Sequence, residues 1–251
     1  MPSQNLPPLS EWQALFLRLT IFPAPDENFD GRDWWESLVG SEPELQQRDK
    51  QTGERIYAGT FLNGHLTLSM LPTRINWIYS AINNEIVTLN EIPSIGKLED
   101  EINLFGDSIK EWLSKDCPNV FRIALGTRSI QPLDTVKDVY ERLAMYIPVE
   151  IDSENSSDFI YRINRRRKSN VINNLELNRL STWSAMRAQL EMETVGMPHL
   201  RHTQEKYACS MELDINTVPN SDIILGNDNL IDIFLELIDL GSEIARKGDI
   251  R

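Results

Sequence analysis

The stretch Arg55-Ile56-Tyr57-Ala58-Gly59-Thr60-Phe61-Leu62-Asn63-Gly64-His65-Leu66-Thr67-Leu68-Ser69-Met70-Leu71 decides the class of fold. Asn-Gly suits the tight turn that joins two right-twisted antiparallel strands. Leu66, Leu68 and Met70 then fall on alternate positions and share one face. The reading is a hairpin of Arg55–Leu62 and His65–Leu71 that turns at Asn63-Gly64. Arg74–Ala81 continues it, with Ile75, Trp77 and Tyr79 alternating. From Lys97 the period changes. Leu98, Ile102, Phe105, Ile109 and Trp112 recur every three or four residues, which predicts an amphipathic helix lying on a sheet. Gly106 weakens its middle, and Pro118 marks its end.

Upstream, Leu15, Leu17, Leu19 and Ile21 alternate and predict a first strand, stopped by Pro23 and Pro25. Asp30 is a candidate cap for a short helix carrying Trp34 and Trp35, closed near Gly40. Leu45–Lys50 reads as a weak strand. Asn83–Ile95 is either an irregular connection or a helix opening. Downstream, Val120–Arg128 is a strand. Asp134 or Thr135 caps a helix with the stripe Val136, Val139, Tyr140, Leu143 and Ile147. Phe159–Lys168 is a strand. Leu175–Glu193 is one long strand, or two joined by a bulge near Trp183, where the apolar phase shifts. Val195–Glu205 reads as a loop and Tyr207–Thr217 as a strand. The last helix, capped by Asn227 or Asp228, carries Ile231, Phe234, Leu235, Ile238 and Ala245.

Strands meander and helices intervene, which defines an α+β protein: antiparallel sheet with long amphipathic helices packed on one face. The order runs through two rounds, residues 1–132 and 133–251, as two halves or one continuous domain. A two-fold internal repeat is therefore an expectation.

Bulk composition bounds the function. The chain has 251 residues and a formal net charge of −13. Such a charge disfavours nucleic acid, whose affinity rests on Lys and Arg displacing counterions, and it disfavours anionic membrane surfaces. A protein partner, basic in character, is the natural complement. Met1–Pro8 lacks a basic region followed by an apolar run, so no secretory signal is expected. With Cys117 and Cys209 the only cysteines, a disulfide framework is not implied and a cytoplasmic setting is expected. No cofactor is expected either, because the chain has no glycine-rich phosphate loop.

Some residues could carry chemistry. His199 and His202 have a spacing that would place two imidazoles on one helical turn for a metal, although they follow Pro198 in an expected loop. Glu212 and Asp214 lie two apart on a strand and share a face, where a metal-dependent nuclease would need carboxylates. The bland alternative is that they coat a solvent face. Arg162, Arg165, Arg166, Arg167 and Lys168 form the one basic cluster, either to grip nucleic acid or to pair with the chain's own carboxylates.

Three segments carry a family resemblance. They are the Pro7-Pro8-Leu9 opening, Phe121-Arg122-Ile123-Ala124-Leu125-Gly126-Thr127-Arg128-Ser129-Ile130, and Met211-Glu212-Leu213-Asp214-Ile215 before the final helix. Together they resemble a sporadically distributed bacterial and archaeal family of uncharacterised proteins. In that family, strands like Arg-Ile-Gly-Leu-Arg-Tyr-Ile and Leu-Asp-Ile-Asp stand at these places. Ala124 replaces a glycine of the pattern, Gly126-Thr127 intervenes before Arg128, and Asn216 is not acidic. The resemblance implies a length and an architecture and no catalytic residues. Its sporadic distribution suggests accessory genes. The leading expectation is a non-enzymatic interaction protein, an accessory or neutralising component of a bacterial defence or toxin–antitoxin system. The alternatives are a metal-dependent nuclease or phosphoryl-processing enzyme and a structural subunit of a nucleoprotein complex.

Overall fold

The computed structural model of the protein describes residues 6–25, 29, 31–82, 92–194, 197–219 and 223–249, and the side chains of all of these but 190–194, 197–203, 227 and 228. In the first round β1 (Gln13–Pro23) leads to α1 (Trp34–Val39). The strands β2 (Leu45–Arg48), β3 (Arg55–Phe61), β4 (Gly64–Leu71), β5 (Arg74–Ser80) and β6 (Gly96–Lys97) follow, and then α2 (Leu98–Lys115). In the second, β7 (Val120–Leu133) leads to α3 (Val136–Tyr146). Then come β8 (Ile160–Asn164), β9 (Arg167–Lys168), β10 (Glu176–Thr194), β11 (Met197–Thr217) and α4 (Asn227–Lys247). All eleven strands join one antiparallel sheet of order β2-β3-β4-β5-β1-β7-β11-β10-β8, with β6 on β1 and β9 on β10. Among the described residues the architecture is a mixed fold with a large antiparallel sheet and four α-helices. α2 and α4 have 18 and 21 residues, but α1 and α3 have only 6 and 11, so the expectation of long helices throughout is not met. The β1–β7 pairing sits at the centre, and the sheet runs across position 132 without a break.

One continuous core lies between the helices and one face of the sheet. Leu17, Leu19 and Ile21 of β1, Ile123 and Leu125 of β7 and Leu213 and Ile215 of β11 are buried there with Phe105, Trp112, Leu143 and Phe234 of the helices. The tryptophans of that core pack on one another: Trp112 lies edge-on to both Trp34 and Trp77. Trp12 Nε1 donates to the carbonyl of Ala245 at 3.1 Å, which fastens the start of the chain to α4. Gly106 has a packing reason inside α2: a Cβ there would stand 3.0 Å from Ile238 Cδ1 of α4. No helix among the described residues is long and apolar enough to cross a membrane.

Several local expectations change. In the hairpin Phe61 pairs with Gly64, so the two turn residues are Leu62 and Asn63, and Leu62 takes the positive φ of 49°. Gly64 is a glycine for space: a Cβ would lie 2.4 Å from the Ser80 carbonyl oxygen. A register shift between Ala14 and Phe16 moves Leu15 to the opposite face from Leu17. Thr135, not Asp134, caps α3, in a reciprocal pair of hydrogen bonds with Asp138. Gly226 precedes α4, and Asn227 lies within it. Asp30 and most of Asn83–Ile95 lie outside the described residues.

Phe159–Lys168 divides into β8 and β9. β10 is a single strand in unbroken register with β11 from Leu177 to Glu193. Its apolar phase shifts because Met186 and Ala188 join a small apolar group with Ile130 and Ala208 on the other face. The expected loop Val195–Glu205 is largely strand, since β11 begins at Met197.

Candidate binding face

Alternation along β1 gives the sheet two unlike faces. Leu17, Leu19 and Ile21 enter the core, so Arg18 and Thr20 must project the other way. The same logic sends Arg122, Gly126 and Arg128 of β7 and Glu212, Asp214 and Asn216 of β11 onto that second face. The registers align them in rows. One row crosses the sheet as Phe16, Arg128, Glu212, Thr182 and Arg162. The next runs through Arg18, Gly126, Asp214 and Leu180 to Asn164, and a third through Asn76, Thr20, Ala124, Asn216 and Asn178. Apart from Ile92, which packs on Ile130 and Ala208, no described residue from outside the sheet joins the apolar groups of this face.

The arginines are seated with care. Arg18 lies over Gly126, where a Cβ would stand 3.1 Å from its Nη2 and 3.2 Å from its Nε. Arg122 lies 4.9 Å from the centroid of the Phe22 ring and donates through Nη2 to Asn216 Oδ1 at 3.1 Å. The Nε atoms of Arg18, Arg122 and Arg128 are all buried without a hydrogen-bond partner among the described residues. A buried N–H on a cation left unpaired is costly, and the feature is shared by Nε and Nη1 of Arg179 on the helix-covered side.

An amide ladder crosses the same face. Asn164 donates to Asn178 at 2.9 Å, Asn178 to Asn216 at 2.9 Å, and Asn216 to Asp214 Oδ1 at 2.8 Å. On the other side Thr20 donates to Asn76 Oδ1 at 3.0 Å. Asp214 is thereby oriented, half-buried beside the arginines, and Glu212 is exposed. Glu212 and Asp214 do share a face, the uncovered one. Among the described residues no group of three or more His, Cys, Asp or Glu gathers to hold a metal.

The basic cluster is spread over both sides. Arg162 projects onto the uncovered face in the Arg128–Glu212 row and is exposed. Arg165 instead makes a two-pronged contact with Asp249, through Nε to Oδ1 at 2.8 Å and Nη2 to Oδ2 at 2.8 Å. Arg167 and the buried Arg179 both reach Glu243 Oε2 of α4, at 3.0 and 3.2 Å. Burial works against the charge on Glu243, but the hydrogen bond from Lys247 and the charges of Arg167 and Arg179 hold its carboxyl below the usual range. Burial also lowers the pKa of the Arg179 guanidinium, with Arg167 adding to the effect. Arg166 meets Glu176 at 3.8 Å in solvent, and Lys168 is exposed beside it on β9. Arg165 and Arg167 thus clamp the C-terminal helix onto the sheet.

His199 and His202 lie on β11, and their side chains lie outside the described residues. On a strand alternate residues share a face, so their three-residue spacing does not supply the helical turn that a shared metal would use. Cys117 and Cys209 are buried, and burial pushes the Cys209 thiol well above its usual value.

Sequence reasoning missed Arg18, Gly126, Asn178 and Asn216. The signal was present: Arg18 interrupts an apolar strand between Leu17 and Leu19, as Asp214 does between Leu213 and Ile215. No protein-family model, curated protein or solved structure matches this chain.

Proposed function

We propose that this chain is a non-enzymatic binding protein that works through the uncovered face of its sheet. The carrying observation is the set Arg18, Arg122 and Arg128, which the β1–β7 register gathers on the face that no described helix packs against. The outer nitrogens of a guanidinium fork suit an anionic partner. The expectation of a basic partner follows from net charge alone. Locally Arg18, Arg122, Arg128 and Arg162 outnumber the carboxylates of Glu212, Asp214 and Glu54, the last of which accepts from Ser69 in the row of Asn76, and the local field is what a docking partner meets. Basic chemistry would suit a concavity of about 530 Å³ instead, lined by Asp232, Glu236 and Asp239 of α4. Glu236 is already committed there to Ser169 and Asn170. An accessory or neutralising role in a bacterial defence system remains the setting suggested by the sporadic family that the chain resembles.

The test is retention on a heparin matrix across a salt gradient. Wild type should be retained at low salt, and Arg18→Glu/Arg128→Glu should elute much earlier with an unchanged melting temperature. Equal elution of the two proteins would remove the reading. An enzymatic alternative has one observation in its favour: Asp214 and Glu212 share the face with the arginines. Cleavage of DNA or RNA with Mg²⁺ or Mn²⁺, lost in Asp214→Ala, would replace the binding reading with that one.

A further inference from the structure

Reading outward from the β1–β7 seam, the ladders repeat themselves. Thr20 lies opposite Ala124 across the seam. The next neighbours are Asn76 beside Thr20 and Asn216 beside Ala124. Beyond those stand Ser69 and Asn178. The offset that carries Thr20 onto Ala124 also carries Arg18 onto Arg122, Leu19 onto Ile123 and Ile21 onto Leu125. It lands the whole of α1 within α3. On the neighbouring strands Ile75-Asn76 falls on Ile215-Asn216, and Leu68-Ser69 on Leu177-Asn178. An antiparallel pair has a two-fold axis perpendicular to the sheet, and such an axis keeps each face on its own side.

We propose that the two rounds are copies of one ancestral unit related by a two-fold axis through the Thr20–Ala124 pair, and that the uncovered face binds double-helical nucleic acid across the seam, with Arg18 and Arg122 each meeting one strand. This rests on the binding reading above and names the partner. A duplex has two antiparallel, two-fold-related phosphate chains, and paired protein sites mirror that symmetry. Arg18 and Arg122 are four residues apart along the seam, about 14 Å at the rise of an extended strand. The major groove of B-DNA is about 12 Å wide. Guanidinium groups are suited to phosphate by their planar fork of donors. The two-fold is broken at three charges on this face: Asp214 corresponds to Arg74, Glu212 to Pro72 and Arg128 to Ala24. Asp214 and Glu212 oppose a polyanion over β11, so a duplex is favoured toward β1 and β5.

The experiment measures affinity for a 20-base-pair DNA duplex, a 20-base-pair RNA duplex and poly-glutamate at several salt concentrations, with melting temperature recorded for each variant. Arg18→Ala and Arg122→Ala should each weaken binding to a duplex roughly tenfold and lower the salt slope by about one. Glu212→Gln, an exposed change that spares folding, should tighten it. Failure of folded wild type to bind either duplex at low salt overturns the proposal. If poly-glutamate is then bound, with loss in Arg18→Ala, the binding face survives and the partner is an acidic polypeptide. If no polyanion binds, both readings fall. Wild-type affinity in either Arg18→Ala or Arg122→Ala, with melting unchanged, would overturn the two-fold placement.

Discussion

Arginines on the two sides of the sheet differ in their carboxylate partners. On the helix-covered side Arg165, Arg167 and Arg179 are answered by Asp249 and Glu243, and the contacts hold α4 and the residues after it in place. On the other side Arg18 and Arg128 have no carboxylate within ion-pair distance among the described residues, and their Nε atoms are buried and unpaired, as are Nε and Nη1 of Arg179. The first group stabilises the fold. The second makes no such contacts among the described residues, and in the proposed reading it is the group that meets an anionic partner. A run of basic residues in a sequence therefore says little until its partners are known. Here two members of the dense cluster, Arg165 and Arg167, are structural, while Arg162, Arg166 and Lys168 stay exposed.

The comparison breaks or sharpens through substitutions on each side. The largest effect belongs to Glu243→Ala, which leaves Arg179 buried without its carboxylate. A loss of about 3–5 kcal/mol is expected in denaturant unfolding, the cost of breaking a buried pair from one side. A much smaller loss would make Arg179 indifferent to its partner.

Acid should act through the same residue. Glu243 has a folded-state pKa below its unfolded value, so its contribution is full above the usual carboxylate range. It is lost as pH falls through the depressed folded value. The wild-type melting temperature should fall on acidification, and the fall should be shallower in Glu243→Gln. Identical acid limbs would assign the loss to other carboxylates.

Gly126→Ala addresses the other face. Its Cβ would crowd the flexible end of Arg18, at 3.1 Å from Nη2. Stability should change by under about 1 kcal/mol, while polyanion affinity falls several-fold. A large loss of stability with affinity intact would mean that Arg18 is a packing residue. Smallest of all, Arg166→Ala should change stability by less than about 0.5 kcal/mol, because its contact with Glu176 is long and exposed. A larger loss would show that even a solvated member of the cluster is structural.

The sheet was legible because its strands obey a period of two with one buried face, as in Leu66, Leu68 and Met70. The turn slipped by one residue because Gly64 answers to the carbonyl of Ser80, a contact between strands that no local pattern reveals. The shift of apolar phase in β10 resembled a bulge because a second apolar group sits on the far face. The clamp was illegible for a plainer reason: Arg165 and Arg179 find their carboxylates 84 and 64 positions away. Of the candidate site, Glu212 and Asp214 were visible as a pair. Their arginine neighbours lie on other strands and come together only through the register of β1, β7 and β11.

The most direct test of the binding face is the salt-dependent affinity of folded Arg18→Ala/Arg128→Ala for a heparin probe, set against wild type and Arg166→Ala. The expected result is a steep salt dependence in wild type and Arg166→Ala and a shallow one, with much weaker binding, in the double variant. Indistinguishable curves for the three proteins, or a loss confined to Arg166→Ala, would contradict it.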